Sequence, residues 1–104
     1  MKVLKFGGTS VGSSKNINKV INILENYGKS DTITCVVSAV GGITDKLLLA
    51  GKQAQNKDQA FLQTFEGIKE RHFNIIQELN PGSTKAILEF VEEKLNSLKN
   101  SFVF

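Results

Sequence analysis

The chain has 104 residues, 40% hydrophobic and 22% charged, an ordinary globular composition whose length fits one small domain or part of a larger one. Thirteen basic against ten acidic residues give a net charge of +3 with the two signs interspersed, a pattern that suits solubility and argues against a nucleic-acid surface, where Lys and Arg cluster among aromatics. The single cysteine, Cys35, excludes an internal disulfide or multi-thiolate metal site; no stretch approaches the roughly 18 apolar residues of a membrane span and the start lacks a secretory core, so a reducing, cytoplasmic location and no membrane partner are expected.

Residues 3–6 read as a short strand halted by Gly7-Gly8, a pair free to turn sharply. From about residue 15 to 27, Ile17, Val20, Ile21, Leu24 and Tyr27 recur at three- and four-residue steps, with Ser13 or Ser14 as cap and Gly28 after the last turn. Residues 32–38 are rich in β-branched side chains, as in a strand covered on both faces, with Cys35 an inert core thiol. After Gly41-Gly42, Thr44 can cap a helix through Leu47, Leu48, Leu49 and Ala50 to about residue 54. Strand, helix, strand, helix in this order predicts an α/β class protein opening on a parallel βαβ unit.

The second half is helical. Phe61, Phe65, Ile68, His72, Ile75, Ile76 and Leu79 form one stripe, and after Asn80-Pro81-Gly82-Ser83 a second follows in Ile87, Phe90, Val91, Leu95 and Leu98. The two predict an antiparallel helical hairpin with the stripes facing each other or the sheet. His72 lies within the first stripe and reads as structural; with no second histidine or carboxylate beside it, no metal site is expected. The run Ser101-Phe102-Val103-Phe104 is strand-like, and two strands are fewer than a self-sufficient sheet needs, so the expectation is a piece of a longer protein. Unpaired strand edges and apolar stripes without partners predict a homo-oligomer.

In a parallel sheet, ligands bind where loops leave the carboxyl ends of strands, and both glycine loops leave from that edge. In Lys5-Phe6-Gly7-Gly8-Thr9-Ser10-Val11 the glycines let backbone N–H groups approach an anion, Thr9 and Ser10 add hydroxyls, and Lys5 supplies positive charge. The set suits a nucleotide polyphosphate, although neither G-x-x-x-x-G-K-[ST] nor G-x-G-x-x-G is present, and a Gly-Gly bend is as often a plain turn. The second loop, Ser38 to Asp45 through Gly41-Gly42, presents Ser38 and Thr44 as candidate holders of an acidic substrate, although on the residues alone the first reading is that Thr44 and Asp45 only cap and charge-stabilise the helix.

At these two loops the chain resembles the aspartate kinases of the amino-acid kinase family. Lys5 to Val11 matches their signature of lysine, aromatic, two glycines, threonine, serine and aliphatic, and residues 36–48 match the aliphatic strand ending in Ser-Ala, then Gly-Ile-Thr and a leucine-rich helix. The resemblance implies a partial three-layer αβα amino-acid kinase fold, with residues 1–104 the amino-terminal part of a catalytic domain from a stand-alone or homoserine-dehydrogenase-fused enzyme. It implies ATP with Mg2+ and L-aspartate as ligands, Lys5 as the catalytic lysine, Lys5, Gly7, Gly8 and Ser10 on the ATP phosphates with Thr9 holding the loop, and Ser38, Gly42 and Thr44 at the aspartate side. The implied reaction phosphorylates the side-chain carboxylate of aspartate, opening lysine, threonine and methionine synthesis; the 104 residues alone are expected to be inactive. The alternatives are another kinase of the family, with a different carboxylate or carbamate substrate, and a helical interaction module whose glycine turns are only structural.

Overall fold

The computed structural model describes residues 1–102 and runs β1 (Lys2–Phe6), α1 (Ser14–Gly28), β2 (Ile33–Val37), α2 (Ile43–Gln55), α3 (Ala60–Leu79) and α4 (Lys85–Asn100). It divides into two compact units, one spanning Met1–Thr44 and the other beginning at Asp45. The α/β class, the βαβ opening and the helical hairpin are as the sequence predicts.

In the first unit β1 and β2 pair in parallel, in register from Lys2 opposite Ile33 to Phe6 opposite Val37. Alternation along β1 sorts its side chains. Lys2 sets its ammonium 4.6 Å from the centre of the Tyr27 ring of α1, which puts Lys2, Leu4 and Phe6 on the α1 side and Met1, Val3 and Lys5 on the other. Helix α1 begins at Ser13, whose extended backbone (φ −152°, ψ 161°) lets its Oγ accept from the Asn16 N–H at 3.1 Å, a cap of about 1 kcal/mol. Val20 on the inner stripe is buried. Gly28 falls inside the last turn rather than after it, and Lys29 caps the end.

Strand β2 departs from expectation. It reads as covered on both faces, yet only Ile33 is half-buried; Thr34, Cys35, Val36 and Val37 are exposed, and the Cys35 thiol is a surface group rather than a core one. The reason is the layer count. One helix on one face of a two-stranded sheet covers too little of it, and Val3 and Val36 on the opposite face stand 61% and 44% exposed. The apolar run in β2 records what a strand is built to face, which its immediate chain neighbours need not supply.

In the second unit Ala50 and Ala54 of α2, both small, admit the rings of Phe61 and Phe65 of α3, and Phe102 closes edge-on against Phe65 with ring centres 5.2 Å apart. Lys57, in the left-handed region at φ 57°, ends α2, while Asp58 Oδ1 accepts from the Ala60 N–H at 2.9 Å and starts α3. Helices α3 and α4 form the hairpin, bridged by Lys69 Nζ to Glu92 Oε1 at 3.0 Å. The Glu92 hydrogen bond, opposed by desolvation and aided by the charges of Glu92 and Glu66, raises the Lys69 ammonium above its ordinary 10.5. That contribution is complete below the ordinary lysine value and is lost only as pH rises through the raised one.

His72 is half-buried with Nδ1 2.8 Å from the Ile68 carbonyl oxygen, a structural histidine donating along its own helix. The α4 stripe is a second correction: Leu88, Val91 and Leu95 are half-buried, but Ile87, Phe90 and Leu98 stand 45%, 60% and 38% exposed and no residue of α4 is buried. Its apolar arc is wider than one antiparallel neighbour can cover. Ser101 and Phe102 form a turn where the sequence suggests a strand, and the rest of that run, Val103 and Phe104, lies outside the described residues. No helix among the described residues is long and apolar enough to cross a membrane.

Candidate functional site

All eight residues singled out in the sequence lie in the first unit, at or beside the carboxyl ends of β1 and β2. The strand pairing continues one step past β2, with the Ser38 N–H donating to the Phe6 carbonyl at 3.0 Å, before both chains turn into their glycine loops. There the loops are joined directly. The Gly41 N–H donates to the Gly8 carbonyl at 3.0 Å, and the backbones are so close that a Cβ on Gly41 would stand 3.0 Å from the Gly8 oxygen, while one on Gly8 would stand 3.2 Å from both the Ala39 oxygen and the Gly41 Cα. Glycine at these two positions is required by backbone contact.

Gly7 is different: a Cβ there would meet nothing within 4 Å. Its bend opens outward and no side chain plugs it.

The loop carbonyls and amides are sorted to opposite sides. The Gly8 carbonyl accepts from Gly41, and the Thr9 carbonyl accepts from the Gly12 N–H at 3.2 Å and from Asn16 Nδ2 at 3.0 Å. None of these peptides is cis, so each carbonyl turned inward sends the N–H of the same peptide the opposite way: Gly8 aims the Thr9 amide and Thr9 aims the Ser10 amide. The amides of Gly7, Gly8, Thr9 and Ser10 donate to no backbone carbonyl among the described residues. Outward, unspent N–H groups on a short turn form a concavity that accepts an anion.

The surrounding charge agrees. The first turn of α1 holds no acidic residue, so its positive end is uncompensated beside the loop. Lys5 is exposed and leaves β1 on the face opposite Phe6. On the α1 side, Phe6, Thr9, Ser10, Asn16, Lys19, Val20 and Ile23 line an open cleft of about 270 Å3, which places a second ammonium near the loop. Asn16 and Lys19 escaped the sequence reading, and the available signal was position: Asn16 stands three residues after the Ser13 cap, where a side chain reaches back over the helix start.

The second loop enters α2 through Gly42, held at φ +84°, with the Ile43 N–H donating to the Val40 carbonyl at 3.0 Å and the Ile43 side chain buried. Thr44 is therefore the second residue of α2, exposed in its first turn, and does not cap the helix as expected; the turn is made by backbone. Ser38 and Gly42 are exposed as well. Across the described residues no group of three or more His, Cys, Asp or Glu side chains could hold a metal ion.

Comparison with known proteins points one way. A model of the amino acid kinase family matches residues 1–101. Aspartokinase of Chlamydia trachomatis serovar D is 36% identical over 100 residues, which are 96% of this chain and 22% of that protein. Two Arabidopsis thaliana proteins, the chloroplastic aspartokinase 1 and the chloroplastic bifunctional aspartokinase/homoserine dehydrogenase 2, are each 33% identical over 93% of this chain and 17% and 11% of their own lengths. The crystal structure of Clostridium acetobutylicum aspartate kinase superposes with a TM-score of 0.70 at 30% identity, over 95% of this chain and 23% of that one. The chain thus spans less than a quarter of the length of each of these proteins.

Proposed function

This chain belongs to the amino acid kinase family, and on that premise we propose that it is the amino-terminal, phosphate-holding part of the catalytic domain of an ATP-dependent aspartate kinase. The observation that carries the proposal is a glycine loop whose amides at Gly7, Gly8, Thr9 and Ser10 donate to no backbone carbonyl among the described residues, those of Thr9 and Ser10 being aimed outward by the held Gly8 and Thr9 carbonyls. Aspartokinase relatives along nearly the whole chain support the choice of substrate. The same matches, extending across both units, disfavour the helical interaction module.

Bound ATP, with its Mg2+, supplies the γ-phosphoryl group that the side-chain carboxylate of L-aspartate accepts. The residues present fit the phosphates: Gly7 leaves room for an anion to approach, the loop amides donate to it, and Lys5 brings an ammonium from the opposite face of β1. Mg2+ would be carried chiefly by the nucleotide phosphates it bridges, as is usual for this ion. Ser38, Gly42 and Thr44 on the adjoining loop would receive aspartate, Ser38 and Thr44 through their hydroxyls and Gly42 by keeping the turn free of a side chain. Because the loops are joined at Gly8 and Gly41, donor and acceptor would be held by one rigid piece of backbone, which is the entropic advantage a two-substrate transfer needs.

The enzyme would serve lysine, threonine and methionine synthesis. An exposed free thiol at Cys35 suits a reducing cytoplasm, and the exposed apolar residues of β2 and α4 suit a homo-oligomer. The test is ADP release by the complete gene product. L-aspartate is expected to stimulate it well above the rate with L-glutamate, N-acetyl-L-glutamate or carbamate; stimulation by one of those instead would place the protein elsewhere in the family.

A further inference from the structure

We propose that Asn16 is a positioning residue of the glycine loop, aiming the Ser10 amide at the anion by holding the Thr9 carbonyl inward. This rests on the phosphate role given to the loop above. The two loop peptides that face outward are set by different parts of the unit: Gly41 of the second loop holds the Gly8 carbonyl and so aims the Thr9 amide, while Asn16 of α1 holds the Thr9 carbonyl and so aims the Ser10 amide. The bond from Asn16 Nδ2, at 3.0 Å, is shorter than the tight-turn bond from Gly12 to the same oxygen, at 3.2 Å.

Asn16 is itself fixed. Its backbone N–H is taken by the Ser13 cap and its own side chain is half-buried in the first turn of α1. The carboxamide therefore ties the positive end of α1 to the loop, so the helix end and the Ser10 amide present to a ligand as one unit rather than two independently moving groups. A ligand would meet a preorganised donor instead of ordering one on arrival.

The experiment titrates the 104-residue chain with inorganic tripolyphosphate, reading affinity and the individual amide shifts of Thr9 and Ser10. Asn16→Ala is expected to weaken binding about five- to tenfold, the scale of one hydrogen bond, and to abolish the ligand-induced shift of Ser10 while that of Thr9 persists. Asn16→Gln, which keeps a carboxamide donor, is expected to recover most of the lost affinity. Should the alanine chain fail to fold, Asn16→Leu keeps the side chain's shape without its donor and without adding charge, and should lose the Ser10 response selectively.

A merely structural asparagine would diminish Thr9 and Ser10 together, and that outcome overturns the positioning role. So does an affinity for Asn16→Ala within about twofold of wild type, the margin below which one hydrogen bond is not resolved. If Lys5→Ala weakens binding while Asn16→Ala leaves it unchanged, the positioning role falls and the phosphate reading of the loop survives. If the wild-type chain shows no loop response to tripolyphosphate, both fall.

Discussion

Lys5→Ala is expected to lower kcat of the proposed aspartate-dependent reaction of the complete gene product by about two to three orders of magnitude while leaving the unfolding midpoint unchanged. The two halves of this expectation have separate causes. Lys5 is exposed on a short strand and takes part in no ion pair among the described residues, so its removal opens no cavity and strands no partner. In the proposed reaction the ammonium would act instead on charge that grows on the transferring phosphoryl oxygens, so its contribution would be greater in the transition state than in the ground state, and kcat should fall more than KM rises. Lys5→Arg keeps the charge but spreads it over a planar fork, and should recover only part of the rate. Steady-state kinetics beside thermal unfolding decide the matter, and a Lys5→Ala enzyme within about twofold of wild-type kcat would remove the lysine from the reaction.

Gly41→Val is expected to destabilise the first unit by about 2–3 kcal/mol and to abolish anion binding with it. The Cβ alone would stand 3.0 Å from the Gly8 oxygen and 3.3 Å from the Gly8 carbonyl carbon. These are backbone atoms that cannot swing aside as a side chain would, and the bond that joins the loops runs between these same two residues. Gly7→Ala provides the contrast, because its methyl enters open space. That change should leave chemical denaturation untouched yet weaken tripolyphosphate binding, since the methyl occupies ground the anion needs. Equal stability for Gly41→Val and wild type in urea unfolding would contradict the close approach of the loops.

The first motif conveyed more than one requirement in the same letters. Gly7 and Gly8 read alike in sequence as anion-facing positions, but Gly8 is glycine because the second loop lies against it, whereas a Cβ at Gly7 would enter open space. Periodicity located every helix, since packing stripes are local, and the Ser13 cap was legible for the same reason. What local pattern could not convey was coverage. Cys35 and Val36 read as core because their neighbours in sequence are apolar, whereas their burial depends on layers that the first unit does not itself provide. Thr44 does not cap because a positive φ at Gly42 starts α2 at Ile43, two residues before the start that a Thr44 cap would give, and a backbone angle leaves no periodic trace. Asn16 was overlooked because its partner is a main-chain oxygen, which is invisible in side-chain composition.

The outward amides of the first glycine loop carry the proposed phosphate role, and residue-resolved amide shifts of this chain during titration with Mg-ATP test that role most directly. Saturable shifts concentrated at Gly7, Gly8, Thr9 and Ser10, with α3 and α4 unmoved, are the predicted result. Saturable binding centred on the helical hairpin, or a glycine loop indifferent to nucleotide at millimolar concentration, would contradict it.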